Sequence, residues 1–204
     1  LYGGQDLLRL GNRAFNRLSG REIAYIGADP TSALDPTLPV GRQIIEKLAS
    51  VRPELSPAEA RELVIDTFDA VRIPSPRQRI DEYPFQFSGG MMQRALIVDA
   101  LVSNPKLLIA DNITQPLDVT VAAQILRLLR DLQERFETSV VFVSSSLGTI
   151  GDIADQVLVM RAGRIVEAQA TTALIEQPRH AYTRELIAQV PRIWSESAVL
   201  PERT

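Results

Sequence analysis

Two short apolar runs limit most tightly what this chain can fold into. Leu107-Leu108-Ile109-Ala110 sits between the turn residues Asn104-Pro105 and an aspartate, and residues 140–143 (V-V-F-V) form a second run. Uninterrupted apolar runs between turn signals read as strands buried on both faces of a parallel sheet. Between them Ile125, Leu128, Leu129, Leu132 and Phe136 fall at offsets 0, 3, 4, 7 and 11, the apolar stripe of one helix that Asp118 would cap. Strand, helix, strand is the unit of an α/β protein with a mostly parallel sheet.

The flanks extend this pattern. Residues 1–8 are strand-like, and residues 21–26 (R-E-I-A-Y-I) read as a strand broken by Gly27-Ala28-Asp29-Pro30. From there to about residue 87 the chain reads as helical with many prolines. Ser56-Pro57-Ala58-Glu59 has the form of a capping box, Leu63, Val64, Thr67, Phe68 and Val71 line one face after it, and Pro74 ends the helix. Another helix opens at Ser88-Gly89-Gly90 and runs to about residue 102. Residues 156–160 and 164–167 flank Ala162-Gly163 as a hairpin.

Composition removes several classes of function. With 45% hydrophobic and 23% charged residues, the 204-residue chain supports one substantial globular domain or a domain plus a subdomain. Its net charge, 22 − 25 = −3, argues against a dedicated nucleic-acid binder. The absence of cysteine excludes disulfides and thiolate metal sites, and a single histidine, His180, leaves little for zinc or a Ser-His-Asp triad. No apolar run approaches the roughly 18 residues that span a bilayer. Residues 1–10 carry neither a basic nor an apolar leader segment, so no signal peptide is expected there, and a start at Leu1 reads as a truncation.

In a doubly wound sheet, ligands gather at the carboxyl ends of the strands. Asp111, ending the first apolar run, is where a carboxylate holds Mg²⁺ directly or through water beside a nucleotide. An aspartate there also serves as a plain helix cap or turn residue. Ser88-Gly89-Gly90-Met91-Met92-Gln93-Arg94 opens a helix with two glycines, letting backbone N–H groups approach an anion at the positive helix end. Taken alone, it reads more readily as a flexible loop before a helix.

Together these segments resemble a known family. Phe87 through Arg94, Pro105-Lys106-Leu107-Leu108-Ile109-Ala110-Asp111, Leu117-Asp118-Val119-Thr120 and Ala162-Gly163-Arg164-Ile165-Val166-Glu167 are similar to the signature, Walker B, D-loop and closing hairpin of an ABC transporter ATPase subunit. Asp29-Pro30, Leu34-Asp35-Pro36 and Gln177-Pro178-Arg179-His180-Ala181-Tyr182-Thr183-Arg184-Glu185-Leu186 narrow the resemblance to the oligopeptide, dipeptide and nickel importer group. It implies a P-loop NTPase-like α/β fold, a mostly parallel sheet flanked by helices with a helical subdomain insert. The implied segments are a partial nucleotide-binding core (1–36), a helical subdomain with the signature helix (37–104), the rest of the core (105–192) and a tail (193–204).

The resemblance further implies ATP and Mg²⁺ as cofactors. Ser88, Gly89, Gly90 and Met91 would contact a partner's nucleotide, Asp111 and Asp118 would serve the nucleotide site, and Asp111 would serve Mg²⁺. Two such subunits would pack head to tail on transmembrane permeases, peripheral to the cytoplasmic face of the inner membrane, with no nucleic acid involved. Residues 38–87 would dock a permease coupling helix, and Ala28-Asp29-Pro30 would be the hinge.

The departures from the family are chemical. The phosphate loop G-x-x-x-x-G-K-[ST] is missing, since neither Lys47 nor Lys106 follows a glycine, and the family pattern places that loop upstream of Leu1. Ala28 stands where a Gln contacts Mg²⁺ and the attacking water. Asn112 stands for the general-base Glu, Ser145 for the switch His, and Gln115-Pro116 for small residues. Asn cannot accept a proton at neutral pH, and losing a general base costs about 10²–10⁴ in rate. The expectation is a chain silent at its own site that lends its signature to a live partner in a heterodimer. The alternative of another class is a structural or regulatory partner, or a fragment, that binds no nucleotide. A soluble ABC protein of DNA repair or translation would carry a coiled-coil insertion or basic patches, and neither is present. Arg72, Arg77 and Arg79 read as a solvated loop, His180 as an exposed or packing residue, and Trp194 as a tail anchor or part of a disordered end. A missing interior strand would leave neighbours unpaired, so the sheet is expected to be discontinuous.

Overall fold

The computed structural model describes residues 1–30 and 32–190, in two compact units, residues 1–143 and the residues from 144 on. The first is organised by three parallel strands, β1 (Ile23–Ile26), β2 (Leu107–Asp111) and β3 (Ser139–Val143), in the order β1-β2-β3. In register, Ala24 pairs with Leu108 and Leu108 with Val140, so even-numbered residues share one face. Ala24, Ile26, Leu108 and Ala110 on that face are buried, and β1 packs against α5 (Gly89–Leu101). The other face carries Tyr25, Ile109, Asp111, Val141 and Val143.

That second face corrects one expectation. β3 is not buried on both sides: Val141 and Val143 remain 49% and 42% exposed on an uncovered face, and no strand pairs with the outer edge of β3 among the described residues. The hairpin forms its own two-stranded sheet, so the paired strands are not continuous through the chain. Residues 1–8 are not a strand either. Gly3 and Gly4 both take positive φ, closing a Tyr2–Gln5 bridge, and a 3₁₀ turn, Leu7–Arg9, follows with the Asp6 carboxylate accepting from the Leu8 N–H. A further helix, α1 (Asn12–Leu18), lacks a side-chain cap that would have announced it.

Between β1 and β2 lie α2 (Val40–Val51), α3 (Pro57–Ala70), the short α4 (Pro76–Arg79) and α5. Ile44 and Leu48, Val64 and Phe68, and Ile97 and Leu101 from three of these helices are fully buried together. α3 starts as expected: the Ser56 N–H donates to Glu59 Oε2 at 2.8 Å, and the Glu59 N–H returns to Ser56 Oγ at 3.3 Å. It ends at Val71, with Arg72 left-handed before Pro74.

α2 starts differently. Pro39 offers no capping side chain, so the Val40 N–H donates to Glu82 O at 2.9 Å and the Gly41 N–H to Ile80 O at 3.0 Å. This seats the start of α2 on the segment that leads into Ser88. Lys47 and Asp99 tie α2 to α5 at 2.6 Å. The arginines are ion-paired: Arg77 with Glu62, Arg79 with Glu82, and Arg72 with Asp131 at 3.7 Å.

β2 and β3 are joined by α6 (Val119–Phe136), whose Ile125, Leu128, Leu129 and Leu132 are buried as their spacing predicts. The second unit comprises α7 (Leu147–Ile153), the antiparallel strands β4 (Gln156–Arg161) and β5 (Arg164–Ala170), α8 (Thr171–Glu176) and α9 (Ala181–Ala188). Left-handed Ala162 and Gly163 make the tight turn that the twist of a two-residue hairpin favours. Val157, Val159 and Leu174 centre its core.

Glu167 fastens the tail motif to this hairpin. Its carboxylate accepts the Arg179 N–H at 2.8 Å and the His180 N–H at 3.0 Å, and is only 7% exposed. His180 is the N-cap of α9, with Nδ1 accepting the Tyr182 N–H at 3.1 Å, and Arg161 lies over the Tyr182 ring. Trp194 lies outside the described residues. Burial alone would raise the Glu167 pKa, but the Thr183 hydroxyl, the two backbone N–H groups and the Gln169 amide outweigh it and bring it from 4.5 to about 2. A depressed carboxylate stabilises the fold fully above its unfolded value and loses that contribution as pH falls through the folded one. The urea midpoint of this unit should therefore be insensitive to Glu167 ionisation above about pH 4.5 and fall between there and about pH 2. Glu167→Gln should lower the neutral-pH midpoint and remove that acid slope; an unchanged slope would refute the assignment.

Candidate functional site

β2 ends by delivering Asp111 to the open face of the sheet, and Asn112 turns the chain away. Asn112 is left-handed at φ 52°, a conformation asparagine tolerates better than most residues. Its N–H donates to Val143 O at 2.9 Å, and its carbonyl accepts the Gln115 N–H at 3.0 Å. Its side-chain amide donates to Asp111 Oδ1 at 3.2 Å. The other carboxylate oxygen, Oδ2, accepts from the Tyr25 hydroxyl at 3.3 Å.

Tyr25 was not singled out in the sequence. It pairs with Ile109 across the strands, so its side chain reaches forward two residues along the same face to Asp111. Gly27 leaves the space beside its ring open, since a Cβ there would meet Tyr25 Cε1 at 3.4 Å. Partial desolvation, then the Asp111 charge and hydrogen bond, hold the phenol above its ordinary pKa. Ala28, half-buried after β1, carries no polar side-chain group.

The start of α5 is the second element. Ser88 caps it, with Oγ accepting the Met91 N–H at 3.3 Å, which leaves the Gly89 and Gly90 N–H groups as the open donors of the first turn. The two glycines differ. A Cβ on Gly89 would meet nothing within 4 Å, whereas one on Gly90 would come within 3.1 Å of Val121 Cγ1 on α6. Gly90 therefore brings the start of α5 against the start of α6, where Asp118 Oδ1 accepts the Val121 N–H at 2.9 Å. Arg94 adds a hydrogen bond to Gln124 at 3.4 Å. The structure thus joins Gly90 with the Asp118 turn, and Asp111 with Asn112 and Tyr25. Ser145, exposed between Ser144 and the α7 cap Ser146, belongs to the second unit.

These residues can hold part of a metal–nucleotide site. Each Asp111 oxygen accepts one protein donor and keeps a lone pair, which suits a cation that draws its remaining ligands from phosphates and water. Among the described residues, no group of three or more His, Cys, Asp or Glu side chains is placed to hold a cation by itself. The open helix start at Gly89 suits an anion.

A family model described as ABC transporter matches residues 2–115. The chain is 43% identical over 195 residues to the oligopeptide transport ATP-binding protein OppD of Bacillus subtilis, covering 96% of this chain and 54% of that protein. It is 44% identical over 203 residues to a probable peptide ABC transporter ATP-binding protein, y4tR, of Sinorhizobium fredii, covering 99% and 60%. The OppD protein of Salmonella typhimurium is 43% identical over 197 residues, covering 97% and 58%. The chain therefore spans between half and two thirds of the length of these curated relatives. Among solved structures, the dimeric post-hydrolysis state of the ATP-binding cassette MJ0796 bound to ADP and Pi superposes with a TM-score of 0.68 at 22% identity, covering 80% of this chain and 68% of that one, a likeness of fold.

Proposed function

Because the chain belongs to the ABC transporter family, we propose that it acts as the ATP-binding subunit of an importer for peptides or a similar small solute. The observation that carries this reading is the match, over nearly the whole chain, to relatives named as peptide transport ATP-binding proteins. No helix among the described residues is long and apolar enough to cross a membrane, which accords with a peripheral subunit on the cytoplasmic face of the inner membrane, held by permeases. Residues 37–104 would form the permease-facing helical subdomain, between core segments 1–36 and 105–192, with 193–204 as a tail.

Within this reading the chain's own residues divide their work. Gly89 and Gly90 direct N–H groups, and Ser88 its hydroxyl proton, at the γ-phosphate on a partner cassette. Asp111 would hold the Mg²⁺ of the chain's own nucleotide directly or through water, and Asp118 fixes the α6 start beside Gly90. Asn112 has no basic oxygen to take a proton from water, Ala28 orients none, and Ser145 presents no imidazole. The chain is thus read as silent at its own site and as completing a live one in a heterodimer. Stoichiometric assembly of the chain with a partner cassette and permeases tests the reading; failure to assemble would overturn it.

Restoring the site makes a further test. In a version of the chain carrying an intact phosphate loop, Ala28→Gln, Asn112→Glu and Ser145→His together should raise hydrolysis at this chain's own site by about 10²-fold or more, the lower worth of a general base. The partner's site would be silenced for the single-turnover measurement. An unchanged rate with nucleotide bound would place the defect elsewhere, for example at Gln115-Pro116.

A further inference from the structure

We propose that Tyr25 is a positioning residue that weakens the hold of Asp111 on a divalent cation, so that releasing the phenol from Oδ2 tightens cation binding. This inference rests on the nucleotide-site reading above and adds a residue to it. Three observations carry it.

First, Asp111, the carboxylate that ends this strand, accepts a hydrogen bond on each oxygen, from the Asn112 amide at 3.2 Å and the Tyr25 hydroxyl at 3.3 Å. The two contacts are not equivalent. Asn112 is the next residue along the chain, with its backbone pinned to Val143 O, whereas Tyr25 reaches across from another strand on a freely rotating side chain.

Second, the Tyr25 contact is built to be reversible. An O–H···O bond is ordinarily 2.5–3.0 Å long, so 3.3 Å is a weak one. Tyr25 is 61% exposed, and Gly27 beside its ring carries no side chain, so the ring can swing away without repacking a core. A buried or short bond at this place would lock the carboxylate; this one shields it.

Third, the phenol supplies a donor where the cation needs an acceptor. A hydroxyl hydrogen-bonded to Oδ2 takes one of its two lone pairs and draws charge from it, leaving the other a poorer ligand for Mg²⁺ or its bound water. The phenol therefore weakens the cation's hold at Oδ2 without excluding it, while Asn112 stays on Oδ1.

The test uses a chain carrying an intact phosphate loop, loaded with ATP and freed of unbound nucleotide, with Mn²⁺ as the probe, read by the loss of free Mn²⁺ electron paramagnetic resonance signal. Tyr25→Phe, which removes one exposed hydroxyl and keeps the ring, should tighten Mn²⁺ binding by about three- to tenfold, the worth of a single hydrogen bond. Asp111→Asn should abolish the effect of Tyr25→Phe. Equal affinities for the wild type and Tyr25→Phe would overturn the proposal, as would Mn²⁺ binding that does not depend on Asp111. Assembly with a partner cassette is scored separately, so a subunit that assembles but shows no tightening fails here alone.

Discussion

Gly89→Asp is expected to leave the chain folded and to lower ATP hydrolysis by the assembled complex by about 10²–10³-fold, the range for losing one preorganised donor to developing negative charge. The two halves of this expectation come from different physics. A side chain at Gly89 meets nothing within 4 Å in this chain, and its backbone needs no positive φ. A carboxylate in the first turn even suits the helix dipole. The fold therefore gives no reason for damage. The same carboxylate would stand where the proposed partner's phosphate approaches, blocking the Gly89 and Gly90 N–H groups and repelling the anion. Thermal unfolding of the chain and steady-state hydrolysis of the complex would be measured side by side. Normal turnover in a properly assembled mutant would show that the helix start is vestigial and favour a purely structural subunit.

Gly41→Ala should destabilise the first unit by about 2–3 kcal/mol, in the range of overpacking a core. Helix propensity points the other way, since alanine is preferred to glycine inside a helix by about 1 kcal/mol. Geometry decides between them. The added Cβ would lie 2.0 Å from Ile80 Cγ1 and 2.4 Å from the Ile80 carbonyl oxygen, and that carbonyl also accepts the Gly41 N–H. A side chain can rotate away; a hydrogen-bonded backbone carbonyl cannot without releasing the start of α2. A lower urea midpoint with an unchanged slope would confirm it. Stability equal to or above wild type would show that the segment at Ile80 yields freely.

What was legible in the sequence was local. The Ser56 box and the Asp118 cap are one-turn motifs whose partners lie three residues away, and both form as read. The Ala162-Gly163 turn and the α6 stripe are equally short-range. The misreadings needed distant information. Nothing in V-V-F-V shows that β3 lies at an edge, because periodicity reports what a strand can bury and not what is there to cover it. The start of α2 was opaque because its caps are carbonyls of Ile80 and Glu82, far along the chain. At the candidate site, the positions after the strand and before the helix could be found by pattern. The Tyr25 contact could not, since it depends on the β1–β2 register and on a side chain reaching two residues along it.

The order of the strands also sets a timetable. β1 pairs with β2 through Ile23–Leu107 to Ile26–Ala110, across the whole run of helices α2 to α5. As the chain emerges from the ribosome at about 5–20 residues per second, β1 waits roughly ten seconds for its neighbour. Ala24 and Ile26 stay uncovered throughout that interval, while α2 and α3 already have each other. Long-range parallel pairing is intrinsically slow because loop closure comes before any reward. The topology therefore favours early assembly of the helices, with the strand that ends beside Tyr25 and Asp111 set late.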